Sequence, residues 1–159
     1  MTLQTIGEEV PNQPVRRADY KPPEYLVDHT DLVFNVIDET RVEVAATLRM
    51  RRNPEVAGVG VAEGEQGEAP LIEFNVGSEI EEISSIEIDG VGVDQSQVSG
   101  TKSTMMLPGR NGEFKVEVRT VLNPRKNTVR RGLYPSGKAL ITQHESEGFR
   151  NVTLFPDRP

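Results

Sequence analysis

The chain has 159 residues, a length that suits one domain around one hydrophobic core. A net charge of −7 argues against binding to a nucleic-acid backbone, which relies on clustered Lys and Arg, and the absence of cysteine excludes disulfides, thiolate metal sites and a Cys nucleophile. With 35% apolar residues, 11 prolines and 14 glycines, the core should be thin and built from short strands and turns, not long helices.

Residues 1–23 read as an extended or mobile lead-in, because Pro11, Pro14, Pro22 and Pro23 deny it regular hydrogen bonding. It lacks the basic and apolar pattern of a signal peptide, and no apolar run approaches the ~20 residues needed to cross a bilayer. A cytoplasmic protein without membrane or nucleic-acid partners is therefore expected.

Residues 24–159 read as a β-domain. Leu32, Phe34 and Val36 alternate with Val33, Asn35 and Ile37 in a first strand over 25–37, and Asp38-Glu39-Thr40 supplies a turn. A second strand over 41–52 places Val42, Val44, Ala46, Leu48 and Met50 on one face, which completes a hairpin. The Gly- and Glu-rich stretch 53–70 reads as a loop with a short strand at 56–61. Its Gly58-Val59-Gly60 has neither the third glycine nor the following helix of a phosphate-binding turn. Further strands are expected at 71–76, 83–88, 105–107 and 114–121, the last preceded by the turn Gly109-Arg110-Asn111-Gly112. The polar, basic segment 123–137 reads as turns, and short strands at 138–142 and 152–155 flank 143–150. No helical period persists over three turns. The fold class expected is all-β, an antiparallel sandwich or saddle-shaped pair of sheets.

The C-terminal third carries the specific residues. It runs Gly132-Leu133-Tyr134-Pro135-Ser136-Gly137, then Thr142-Gln143-His144-Glu145-Ser146-Glu147-Gly148-Phe149-Arg150, and ends Asp157-Arg158-Pro159. This order resembles the G-L-Y-x-S-G, T-Q-x-E-x-E-G-F-R and D-R-P motifs of bacterial aminopeptidase N, in the gluzincin family of zinc aminopeptidases. A weaker similarity covers Asp19-Tyr20 and Pro23-Glu24-Tyr25 through about Arg51, and residues 53–112 match only loosely.

The resemblance implies an antiparallel N-terminal β-domain followed in the chain by a thermolysin-like catalytic domain. It makes Glu145 the glutamate that anchors the substrate's free amino group and Gln143 its partner beside the first side-chain pocket. Physically, a free ammonium calls for a carboxylate plus neutral acceptors, and each charge-assisted hydrogen bond is worth about 1.5–3 kcal/mol. In an extended segment Gln143, Glu145 and Glu147 would share one face. On spacing alone, a Gln and a Glu in a polar loop are more often merely solvated.

His144-Glu145 begins like an H-E-x-x-H zinc helix, but Gly148 stands where the second His is required, and His29 is far away in sequence. The family's G-x-M-E-N motif is also absent. No catalytic residue, metal ligand or cofactor is therefore assigned to this chain, and zinc is expected only in the full-length enzyme, held by the next domain. The expected partners are a peptide N-terminus and a catalytic domain of the same polypeptide. Because the family continues past D-R-P into further strands, the β-domain is expected to be incomplete at its C-terminal end.

Other residues take structural readings. Tyr134 should pack near the turn glycines, Phe149 should anchor in the core, and Arg150 should pair with Asp157. Arg125, Lys126, Arg130 and Arg131 should lie at the surface, and Glu79, Glu81, Glu82, Glu87 and Asp89 on the wet face of strands. The alternative function is a stand-alone peptide- or protein-binding β-domain without catalysis.

Overall fold

In the computed structural model, residues 16, 20–56 and 69–157 are described. Most of the lead-in, the Gly58-Val59-Gly60 turn and Arg158-Pro159 lie outside them.

Among the described residues, ten antiparallel strands form three sheets. β1 (Tyr25–Asp38), β2 (Arg41–Arg52), β4 (Ile80–Ile88), β5 (Val91–Gly92) and β8 (Glu113–Leu122) make a five-stranded sheet in the order β1-β2-β8-β4-β5. β3 (Ile72–Asn75), β7 (Thr104–Leu107) and β6 (Ser99–Gly100) make a second sheet in the order β3-β7-β6. β9 (Gly132–Ser136) and β10 (Ala139–Gln143) form a separate hairpin. Among the described residues the only helical segments are short 3-10 turns.

The first hairpin forms as its pattern predicts. Asp38 closes its turn by accepting hydrogen bonds from the Thr40 amide (2.7 Å), the Thr40 hydroxyl (2.6 Å) and the Arg41 amide (3.0 Å). Val42, Val44, Ala46, Leu48 and Met50 all turn inward and are buried. In β8 the matching face carries Phe114, Val116, Val118 and Thr120, in register with Met50, Leu48, Ala46 and Val44.

That inner face is covered in two places. At one end β3 and β7 close over it, and Leu48, Met50, Phe74, Ile72, Met105, Leu107, Ile88 and Val116 form a dry core with Leu154. At the other end Val42, Val44 and Leu122 meet Leu133 and Val152, with Leu32, Phe34, Leu140 and Phe149 partly buried around them. The second cover is thus the β9–β10 hairpin and the chain that follows it.

Two expectations need correction. Residues 132–136 form a strand where turns were expected; Gly132 enters at φ 74°, and Pro135 is tolerated because β9 pairs on one side only, with β10. Residues 152–155 do not form a strand. Val152, Thr153 and Leu154 are all fully buried, which strand alternation beside a one-sided core does not allow, and only Phe155 makes a bridge, to Asn75.

The charged groups lie at the surface as read. Arg125 pairs with Glu39 and Lys126 with Glu81, all exposed or half-exposed. Tyr134 is half-buried in β9, opposite Ile141.

Candidate functional site

The site-bearing ribbon starts from a folded loop. The buried Asn127 side chain donates to the carbonyls of Arg131 (2.7 Å) and Leu133 (2.9 Å) and accepts from the Arg130 amide (2.9 Å). This fixes the entry into β9, and β10 then returns antiparallel to place Gln143 opposite Gly132.

The extended run that would put Gln143, Glu145 and Glu147 on one face does not form. The strand ends at Gln143, and residues 145–148 turn, closed by the Gly148 amide donating to the His144 carbonyl at 2.8 Å. The same-face argument from strand alternation therefore stops at Gln143. A different contact brings the two residues together: Gln143 Nε2 donates to the Glu145 backbone oxygen at 3.2 Å. Both side chains are exposed.

Glycine is required at the foot of this turn. A Cβ on Gly148 would lie 2.4 Å from the Gln143 carbonyl oxygen and 2.6 Å from the His144 Cα, closer than real atoms approach. The preceding Glu147 takes a left-handed φ of 60° to feed the turn.

The turn is tied to the domain by polar contacts. The 3-10 turn Phe149–Asn151 follows directly, and the Gly77 amide donates to the Arg150 carbonyl at 2.8 Å. The buried Thr120 hydroxyl, on the inner face of β8, donates to the Val152 carbonyl at 2.6 Å. Arg150 pairs with Asp157 as expected and also reaches Glu147 at 3.5 Å, while the Asp157 amide donates to Asn75 Oδ1 at 2.9 Å. Phe149 anchors as expected, half-buried against the second apolar cluster.

The two carboxylates of the turn are thereby distinguished. Glu147 faces the Arg150 guanidinium, whereas the Glu145 carboxylate meets no hydrogen-bond or ion-pair partner among the described residues. With Nε2 engaged, Gln143 retains Oε1 as an acceptor. The ribbon thus offers one uncompensated anion and one neutral acceptor to solvent, an arrangement suited to a cation bearing N–H donors.

Cavities do not single out these two residues. A groove of about 470 Å³ beside the turn is lined by Glu147, Arg150, Arg131 and Ser78, and a larger one of about 610 Å³ lies between Pro23, Leu71 and Asp157. Neither includes Gln143 or Glu145, and the geometry of the ribbon is the better guide, since an exposed strip need not be concave within one domain. Among the described residues no group of three or more His, Asp or Glu could hold a metal ion, and no helix is long and apolar enough to cross a membrane.

Sequence reading missed Thr120 and Asn127, which fasten the ribbon from beneath. For Thr120 a signal existed: it continues the inward series Phe114, Val116, Val118 as a polar residue, and a buried hydroxyl needs a partner.

The sequence is 33% identical to aminopeptidase N of Haemophilus influenzae over 144 residues, 90% of this chain, and 33% identical to that of Caulobacter vibrioides over 147 residues, 92% of this chain. The chain is a homologue of the N-terminal domain of aminopeptidase N. It spans only 15% of the length of either relative. No protein-family model matches the sequence. Among solved structures, Legionella pneumophila aminopeptidase A in complex with aspartic acid superposes with a TM-score of 0.71 at 26% identity, covering 89% of this chain and 15% of that one. An M1 zinc metallopeptidase from Deinococcus radiodurans shares the fold with a TM-score of 0.60 at 16% identity, over 86% of this chain and 30% of that chain.

Proposed function

We propose that this chain is the substrate-recognition domain of a zinc aminopeptidase that removes N-terminal residues from peptides. Glu145 receives the substrate's ammonium group and Gln143 Oε1 accepts a second N–H. The zinc, the general base and the transition-state donors lie on polypeptide outside this chain, so the chain alone is inactive. The observation that carries this reading is the difference between the two neighbouring carboxylates: Glu147 lies 3.5 Å from the Arg150 guanidinium, and Glu145 stands exposed with no counter-charge among the described residues. The kinship with aminopeptidase N supports it.

The test uses the full-length polypeptide that carries this domain. Glu145→Ala should lower kcat/KM for free-amine peptides by about 10–100-fold, the loss of one charge-assisted hydrogen bond. An unchanged value removes the anchor assignment. The 159-residue chain supplied with zinc should not turn over an aminoacyl chromogenic substrate.

A further inference from the structure

His144 lies between the two proposed amine-binding residues, yet it is half-buried and its Nδ1 is enclosed. Its ring meets Phe149 edge-on with centroids 5.3 Å apart, and Phe149 meets Phe155 edge-on at 4.6 Å. Phe155 is in turn bonded into β3: the Asn75 amide donates to its carbonyl at 2.9 Å and its own amide donates to Asn75 at 3.3 Å. An aromatic column thus runs from the centre of the exposed strip down to the second sheet.

The column has no polar function of its own at His144. Nδ1 is buried and has no hydrogen-bond partner among the described residues. The ring is held by packing, and an unsatisfied buried nitrogen works against that burial. With no partner at Nδ1, the ring acts in this place through its shape. The shape matters because the His144 Cα lies against Gly148 and its carbonyl accepts the bond that closes the turn.

We propose that His144 is a positioning residue: its edge-on contact with Phe149 pins the peptide between Gln143 and Glu145, and so holds the Gln143 amide and the Glu145 carboxylate toward the same ligand. The inference rests on the amine-anchor reading for the ligand, but the pinning itself is independent of it. Because the ring acts through packing, phenylalanine should replace it and alanine should not.

The experiment follows the intact chain by NMR in wild type, His144→Ala and His144→Phe. The Gln143 side-chain amide reports the bond to the Glu145 carbonyl, and titration with alaninamide, with N-acetylalaninamide as control, reports amine binding. His144→Ala should lose the Gln143 bond and weaken alaninamide binding about five- to tenfold, the scale of a lost aromatic contact, while the β9 and β10 backbone signals stay in place. His144→Phe should keep both within about twofold and raise thermal stability, since it removes the unsatisfied nitrogen. Retention of the Gln143 bond in His144→Ala, or its loss in His144→Phe, overturns the proposal. Failure of wild type to bind alaninamide counts against the amine anchor alone, and the Gln143 bond still decides the role of His144.

Discussion

The two ends of the five-stranded sheet's inner face are covered by different physical means. Under β3 and β7 the cover is apolar and dry, with Leu48, Phe74, Leu107 and Val116 all at 0% exposure. Under the β9–β10 hairpin the apolar contacts are fewer and partly wet, and polar ties complete them: Thr120 to Val152, Asn127 to its own loop, Gly77 to Arg150. The first arrangement yields stability by area removed from water. The second yields a ribbon whose upper surface remains open, as the proposed recognition strip requires. A domain that placed Gln143 and Glu145 over the dry end would have to bury them.

The contrast is broken most directly by truncation. Leu48→Ala at the dry end should destabilise the chain by about 3 kcal/mol, since a fully enclosed leucine leaves a cavity its neighbours cannot fill. Leu140→Ala, half-buried beneath the hairpin, should cost only about 1 kcal/mol, because solvent can occupy part of the vacated space. Urea unfolding of the two variants measures both; equal losses would mean that the hairpin is packed as tightly as the second sheet.

Next in size is the turn itself. Gly148→Ala forces a methyl to within 2.4 Å of the Gln143 carbonyl, and the atoms in its way are backbone, which cannot swing aside. A loss of about 1–3 kcal/mol is expected, together with displaced amide signals from 143 to 148 and unchanged signals in β2 and β8. Signals that stay put along the turn would show that the ribbon adapts without strain.

How much of this was legible in the sequence follows the same division. The strands of the five-stranded sheet announce themselves: the inward series Val42 to Met50 and Phe114 to Val118 alternates without interruption, because a one-sided core imposes period two. The hairpin end is held by contacts between residues distant in sequence, which leave no period. Gly132 and Pro135 read as turn residues, yet β9 forms because it has one partner strand and Asn127 bends the chain into it. Residues 152–154 read as a strand because three apolar or β-branched side chains stand together, yet all three are buried in an irregular segment, Val152 in the cluster under the hairpin and Leu154 in the core under β3 and β7. The motif marked Gln143 and Glu145, but not the turn that begins at Glu145, since alternation assumes an extended chain. Gly148 was the available clue.

The smallest expected effect tests the dry end through a buried ionisable group, Tyr25. Tyr25 is 4% exposed; its hydroxyl donates to the Pro70 carbonyl at 2.6 Å and accepts from the Arg110 amide at 3.2 Å, and its ring stands edge-on to Phe114 at 5.5 Å. Burial pushes its pKa above the ordinary tyrosine value, and the Arg110 amide and nearby Arg52 guanidinium only partly oppose the shift. With the folded value raised, the native state keeps its proton in a window above about pH 10 where the unfolded chain has begun to lose it. The stability Tyr25 contributes is therefore full below that window and falls as pH rises through it. Urea midpoints taken from pH 8 to pH 11 should show a constant gap between wild type and Tyr25→Phe up to about pH 10, and a narrowing gap beyond it. A gap that stays constant throughout would mean that water reaches this hydroxyl and that the end described as dry is not sealed at Pro70.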